Sequence, residues 1–150
     1  MTDFLETTVD KFIFRVATDR LYTSEGLWAQ RNGDTVRLGV SDYFQQHNGD
    51  MAFVNLPPVG SELKYGEEIA SVETIKVNIS LPCPVSGTLV KINEVLFAKP
   101  ELVNEDPYER GWLCDVKLTR WSEEQQNLLT PDDYFILMKK QAEEEVNKNA

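Results

Sequence analysis

Gly60-Ser61-Glu62-Leu63-Lys64-Tyr65-Gly66-Glu67-Glu68-Ile69-Ala70-Ser71-Val72-Glu73-Thr74-Ile75-Lys76-Val77-Asn78-Ile79-Ser80-Leu81-Pro82-Cys83-Pro84-Val85-Ser86-Gly87 decides the fold. Its runs Glu68–Glu73 and Val77–Leu81 are short, and Gly60, Gly66, Pro82, Pro84 and Gly87 punctuate them, so the stretch reads as strands broken by turns. Between the runs, Glu73-Thr74-Ile75-Lys76-Val77 is a strand–turn–strand candidate with a lysine at its centre and neither Pro nor Gly to relax it. A lysine at a hairpin tip stands clear of the core with its amine free, which suits an enzyme that joins a carboxylate to it as an amide. Nine lysines are present, and on spacing alone an ordinary solvated turn lysine is the better explanation. A faint internal echo runs through the same stretch. Val59-Gly60-Ser61-Glu62-Leu63 and Val85-Ser86-Gly87-Thr88-Leu89 each lead into a strand, as two halves packed about a pseudo-twofold axis would.

Working outward, Met51–Leu56, Gly87–Ile92 and Trp112–Leu118 continue the pattern of short strands, with Pro57-Pro58 as a further break. Short strands with turns every eight to twelve residues predict a sandwich or small barrel. Upstream, Leu27–Gln30 and Thr35–Val40 flank Asn32-Gly33, a strong hairpin signal, and Ser41-Asp42 offers an N-cap for a short helix through Gln46, ended near Gly49. In the first twenty residues Leu5, Val9, Phe12 and Val16 fall at roughly helical spacing, which predicts a short amphipathic helix. At the other end, Ser122–Gln125 fits a capping box, and Thr130-Pro131-Asp132-Asp133 supplies an N-cap, an N1 proline and an acidic first turn. Tyr134, Leu137 and Met138 would then form an apolar stripe that packs the last helix on the sheet, and Glu143-Glu144-Glu145 reads as its solvated end.

At 150 residues, 41% hydrophobic and 27% charged, the chain suits one globular domain with its own core. The 25 acidic side chains against 15 basic ones give a net charge of −10, the wrong sign for wrapping nucleic acid. The acids gather in residues 101–150, which carry 12 against 6 basic ones, whereas residues 51–100 carry 5 against 4 and hold five of the seven prolines. No apolar run has membrane-span length and no signal-peptide layout opens the chain, so a cytoplasmic protein is expected, with neither membrane nor nucleic acid as partner.

Candidate chemistry is sparse. His47, the one histidine, sits in the polar stretch Gln45–Gly49, and nothing in the sequence places a nucleophile or an orienting carboxylate beside it. Cys83 between two prolines and Cys114 in an alternating strand read as inert small hydrophobes. Two cysteines and one histidine cannot form a four-ligand zinc site, and no phosphate-binding glycine loop or nucleophile elbow occurs.

Glu73-Thr74-Ile75-Lys76 resembles the lipoyl-attachment segment of glycine-cleavage H proteins. The resemblance continues through Pro84-Val85-Ser86-Gly87, Val90-Lys91-Ile92-Asn93-Glu94, Pro100-Glu101-Leu102-Val103-Asn104, Asp106-Pro107-Tyr108 and Gly111-Trp112. Upstream, Gly39-Val40-Ser41-Asp42-Tyr43, Gly49-Asp50, Phe53-Val54 and Leu56-Pro57 are similar to another signature of the family, so about residues 21–138 are covered. Lys76 lies 16 residues after Gly60 and 11 before Gly87, spacing similar to that of lipoyl and biotinyl carriers generally. The resemblance implies a mainly β, flattened barrel-sandwich hybrid with Lys76 at a hairpin tip and C-terminal helices. With the N-terminal helical segment, the expected organisation is an extension over 1–20, a carrier domain over 21–120, and helices with an acidic tail over 121–150. The resemblance also implies lipoic acid amide-linked to Lys76 on a carrier that is not itself an enzyme. Its swinging arm works by thiol–disulfide exchange at partner active sites. Implied partners are a lipoate-protein ligase or lipoyl transferase, dihydrolipoyl dehydrogenase, glycine decarboxylase and aminomethyltransferase.

Departures bear on the pathway. Where H proteins have a Tyr-x-x-x-His-Glu-Trp pattern, Tyr22 and Trp28 are kept, but Gly26 and Leu27 stand at the His and Glu positions. In the family that glutamate lines the cleft that holds the aminomethyl-loaded arm, and a leucine accepts no hydrogen bond from an amine. Asn55 and Asn48 depart as well, and Cys83 replaces a small apolar residue beside the arm's base. This pattern is similar to the H-protein-like lipoate-binding proteins of sulfur oxidisers, which work with a heterodisulfide-reductase-like complex and carry a sulfur intermediate. The expectation is therefore a sulfur-oxidation carrier, with a glycine-cleavage H protein as the alternative and an unmodified scaffold or lipoyl-relay acceptor as a third. The acidic surface should meet basic docking surfaces and bind less tightly in salt.

Overall fold

A computed structural model describes residues 2–149. The strands are β1 (Phe4–Val9), β2 (Phe12–Ala17), β3 (Leu21–Tyr22), β4 (Leu27–Asn32), β5 (Thr35–Val40), β6 (Met51–Asn55), β7 (Glu62–Leu63), β8 (Glu68–Thr74), β9 (Asn78–Pro82), β10 (Gly87–Ile92) and β11 (Cys114–Leu118). The helices are α1 (Asp42–Asn48), α2 (Val95–Ala98), α3 (Leu102–Glu105), α4 (Trp121–Glu124) and α5 (Pro131–Asn149). A six-stranded sheet runs β3-β4-β5-β11-β10-β7, and a three-stranded sheet runs β6-β8-β9. Between them lies a core that includes Val36, Leu38, Val72, Leu81, Val85, Leu89 and Val116. The fold is mainly β, as expected.

The two echo segments pair with one another. Leu63 lies opposite Gly87 and Glu62 opposite Thr88. The ladder continues with Gly60 N–H donating to Leu89 O at 2.7 Å and Leu89 N–H to Ser61 O at 2.9 Å. Exchanging the halves (61 with 87, 63 with 89) maps one pairing onto the other, as a twofold axis between them requires. Gly87 is crowded at that axis, since a methyl group there would sit 2.0 Å from Lys117 O.

The amino-terminal helix is not formed. Residues 4–17 make a two-stranded antiparallel hairpin, β1–β2, in register from Phe4 opposite Ala17 to Val9 opposite Phe12. The turn is Asp10-Lys11, with Asp10 at φ 56°, a left-handed conformation that aspartate tolerates better than most residues. Leu5, Val9, Phe12 and Val16 share one face of this hairpin as readily as one face of a helix, because a two-residue turn resets the alternation. Phe14 and the β-branched Thr7, Thr8, Ile13 and Val16 carry the strand signal that the spacing hides. The hairpin closes a second core with α5, in which Phe14, Val16, Tyr22, Trp28, Tyr134 and Met138 are buried. Tyr22 and Tyr134 stack there with centroids 4.5 Å apart and planes at 5°.

At the carboxy terminus, Thr130 caps α5 as expected, its Oγ accepting from Asp133 N–H at 3.2 Å. The buried stripe is Tyr134, Met138 and Ala142, one turn apart, while Leu137 stands beside it half-buried. Ser122 caps nothing: α4 begins at Trp121 with Arg120 at the cap position and no side-chain cap bond, and a 3-10 turn over Gln125–Asn127 follows. The capping-box role fails because the helix starts at Trp121, which puts Ser122 inside its first turn; Glu124 on that turn is buried, accepting from Ser86 N–H at 2.6 Å and from Ser86 Oγ at 2.5 Å. In the β4–β5 hairpin the turn residues are Gly33-Asp34, one step later than expected, with Gly33 at φ 66°.

Candidate functional site

β8 and β9 form the hairpin that carries Lys76. Its turn is ordered by one hydroxyl. Thr74 Oγ accepts from Lys76 N–H at 3.1 Å and from Val77 N–H at 3.0 Å, while Thr74 N–H donates to Val77 O at 2.9 Å. A side chain that mimics a backbone turn explains how the tip forms without Gly or Pro, and Thr74 is the site residue that spacing alone had not singled out. Ile75, Lys76 and Val77 are all exposed, Ile75 to 76%. The tip is anchored from the side by Ile75 N–H donating to Asp50 O at 3.3 Å.

The lysine side chain lies over the carboxy-terminal end of α1. A methyl group at Gly49 would sit 3.6 Å from Lys76 Cε and 4.0 Å from Nζ. Helix α1 is itself fixed at both ends: Ser41 Oγ accepts from Phe44 N–H at 3.1 Å, and Gly49 N–H donates to Gln45 O at 3.1 Å. Asn104 holds the following loop, donating to Gly49 O at 3.0 Å and accepting from Met51 N–H at 2.9 Å.

A cleft of about 560 Å³ opens between α1, β9 and α5, bounded by Asn48, next to the Gly49 that Lys76 covers, and by the strand that follows the hairpin tip. Tyr43, His47 and Asn48 line it from α1, Ile79 and Ser80 from β9, and Glu144 and Glu145 from α5, with Glu25 on the rim that leads into β4. His47 is not isolated as the sequence had implied. Its Nδ1 lies 2.9 Å from Glu145 Oε2, its ring stacks on Tyr43 at 5.5 Å, and Tyr43 OH donates to the same carboxylate oxygen at 3.3 Å. Burial, together with the Glu145 charge, pushes the Tyr43 hydroxyl up to about 12. No local motif could have shown this, because Glu145 lies 98 residues after His47.

The departing positions have packing causes. Leu27 is fully buried in the core between the sheets and does not face the cleft. Gly26 takes φ 95°, and a methyl group there would sit 3.2 Å from Tyr134 OH and 3.3 Å from Ser41 Oγ, the two atoms that bond one another at 2.8 Å. Cys83 lies beyond the end of β9, away from the cleft, with Sγ donating to Val85 O at 2.7 Å, and burial raises its thiol to about 11. Burial also raises the Cys114 thiol, so neither supplies a thiolate at neutral pH. Among the described residues no group of three or more His, Cys, Asp or Glu side chains is placed to hold a metal ion. No helix among them is long and apolar enough to cross a membrane.

Comparison with known proteins agrees with this arrangement. Residues 20–141 match the family model described as glycine cleavage H-protein. The chain is 45% identical over 117 residues to the glycine cleavage system H protein of Geobacillus kaustophilus, covering 78% of this chain and 91% of that one. It is 41% identical over 121 residues to a probable glycine cleavage system H protein of Natronomonas pharaonis, covering 81% and 94%. Among solved structures it superposes on the glycine cleavage system H protein of Mycobacterium marinum with a TM-score of 0.71 and 35% identity, over 78% of this chain and 94% of the other. The hairpin tip, the cleft at its base and these matches together show that the chain belongs to the glycine cleavage H-protein family, whose members are lipoate carriers.

Proposed function

We propose that Lys76 carries the lipoyl group and that the protein serves glycine decarboxylation, carrying the aminomethyl group between the glycine decarboxylase and aminomethyltransferase, with dihydrolipoyl dehydrogenase restoring the disulfide. The observation that carries this is the set of carboxylates lining the cleft along β9, Glu25, Glu144 and Glu145, which outnumber the one lysine there, Lys148. The family's glutamate is absent, but acceptors for a cationic amine are supplied from other elements. Sulfur oxidation was expected because Leu27 left the cleft without a carboxylate, and that reason falls away.

Lys76 fits the cofactor, since it is exposed on a turn whose backbone is tied down and whose flanking side chains point to solvent. Bound there, lipoate supplies a disulfide that opens to a dithiol and closes again. The protein's own residues position and protect. Thr74 and Asp50 fix the tip, Gly49 gives the stem a smooth wall, and Tyr43 and Ile79 line the cleft with apolar surface. Glu145, held by Tyr43 and His47, keeps a fixed acceptor at the cleft.

The test is bicarbonate exchange into glycine, with purified glycine decarboxylase and lipoylated protein. Wild-type protein should support exchange, Lys76→Arg should be neither lipoylated nor active, and Glu25→Gln/Glu144→Gln should load but hold the amine less well. A lipoylated wild type that supports no exchange refutes the proposal. A second function, carriage of a sulfur intermediate to a heterodisulfide-reductase-like complex, needs no amine acceptor at the cleft. It predicts that deleting the gene stops growth on reduced sulfur and leaves glycine breakdown intact. An Lys76→Ala variant with unchanged function would instead identify an unmodified scaffold.

A further inference from the structure

The β1–β2 hairpin lies before residue 20, where the family match begins, so it is an addition to the carrier body. It is rigidly attached. Along β2, Arg15 N–H donates to Asp42 at 3.0 Å, Gln46 donates to Ile13 O at 2.9 Å, and Tyr108 OH donates to Arg15 O at 2.6 Å. Its inner face closes the second core, while its outer face stays exposed at Phe4, Glu6, Ile13 and Arg15. Between that outer face and the loop over residues 104–109 runs a groove of about 410 Å³.

The groove has an apolar floor and an acidic rim. Phe4 is 42% exposed and Ile13 53% exposed, with the ring of Tyr108 behind Phe4 at 5.7 Å. Glu105 and Glu109 stand exposed on the rim, and neither is in an ion pair among the described residues. The one cation lining the groove among the described residues, Arg15, is engaged by Glu6 at 2.9 Å and lies 5.9 Å from the Phe4 ring, which leaves the rim carboxylates to an outside partner. A small cation would satisfy the rim and leave the floor wet. A cationic side chain set among apolar ones satisfies both.

The groove also adjoins the site. Asn104 lines it and donates to Gly49 O, and Gly49 lies directly under the Lys76 side chain. We infer that this groove is a docking surface for an enzyme that works on the Lys76 arm, receiving a lysine or arginine flanked by apolar side chains. The inference rests on Lys76 being the carrier lysine, as proposed above. A partner seated there sets its active site beside the arm's attachment point without touching the apolar hairpin tip.

The test uses the full lipoylated chain with four enzymes of the same host: lipoate ligase (on the unlipoylated form), glycine decarboxylase, aminomethyltransferase and dihydrolipoyl dehydrogenase. The variants are Glu105→Lys/Glu109→Lys and, separately, Ile13→Ser. Glu67→Lys/Glu123→Lys makes the same charge change at two positions outside the groove. The groove variants should raise KM for at least one enzyme by about tenfold with kcat unchanged, and the control pair should not. KM values within about twofold of wild type for all four enzymes overturn the inference, as does an equal rise with the control pair, which would mean bulk charge. If wild-type protein fails with glycine decarboxylase alone, the pathway assignment falls, while the ligase and the dehydrogenase still read the groove.

Discussion

Replacing Thr74 with valine tests whether one hydroxyl shapes the tip of the β8–β9 hairpin. The substitution keeps the branched shape and removes Oγ, which accepts from Lys76 N–H at 3.1 Å and Val77 N–H at 3.0 Å and itself donates to Val77 O at 3.2 Å, an oxygen that keeps its backbone donor. Both amides belong to exposed residues and return to water, so the net loss is about 1 kcal/mol per bond, about 2 kcal/mol together. The closing bond from Thr74 N–H to Val77 O at 2.9 Å survives and holds the strands in register. A loss of about 2 kcal/mol lowers amide exchange protection at residues 76 and 77 by about 30-fold, while the rest of β8 and β9 is unchanged. Thr74→Ser keeps the oxygen and should retain protection. Lipoylation by a purified ligase should slow in kcat/KM by a factor between about 3 and 30, because the enzyme must then order the turn itself. Exchange in Thr74→Val within about threefold of wild type would show that the strands, and not the hydroxyl, impose the turn.

Three further outcomes follow from packing. Gly87→Ala places a methyl group 2.0 Å from Lys117 O and 2.7 Å from Val116 Cγ1, so backbone must move. At about 1–3 kcal/mol this lowers the melting temperature by roughly 3–10 °C, and a calorimetric trace identical to wild type would refute the crowding. Phe14→Ala empties the second core at a residue 6% exposed and should cost about 3–5 kcal/mol, roughly 10 °C or more, if the hairpin is integral to the fold. A shift under about 2 °C would make it a dispensable arm. Cys83 and Cys114 should resist iodoacetamide in the native protein at pH 8, because burial raises both thiols, Cys83 to about 11, and should label fully in denaturant. Native labelling at either, read by peptide mass, contradicts the burial.

Strand–turn spacing gave the central sheets because period-two patterning and Gly and Pro turns are local signals. Gly87 and Lys76 fell where they were expected. The β1–β2 hairpin was hidden because Leu5, Val9, Phe12 and Val16 satisfy both periodicities, and only tertiary burial of Phe14 and Val16 chooses between them. Ser122 failed as a cap for a similar reason. The helix starts at Trp121, one residue before it, and buries Glu124 against Ser86, 38 residues away. The cleft was legible least of all. Glu145, His47 and Glu25 come together through the packing of α5 on the sheet, which no spacing in the chain records.

That packing also changes what the departures mean. Tyr134 on α5 bonds Ser41, the cap of α1, and Gly26 is the residue that leaves room for this contact. The link ties α5 to α1 at one end of the cleft, and Tyr43 and His47 with Glu145 tie them again further along. A side chain at position 26 would push on the first tie, so the glycine is explained by the helix it admits. Leu27 then follows the ordinary logic of a core: a carboxylate buried at that place would need a compensating partner, and a leucine needs none. The acids displaced from β4 reappear on α5, in turns that lie past residue 141, where the family match ends. The carboxy-terminal extension therefore supplies one wall of the cleft and two of its three carboxylates, with Lys148 beside them. Truncating the chain after Gln141 should leave Lys76 open to lipoylation while weakening retention of a bound amine. Unchanged retention in that truncation would return the discrimination between pathways to Leu27.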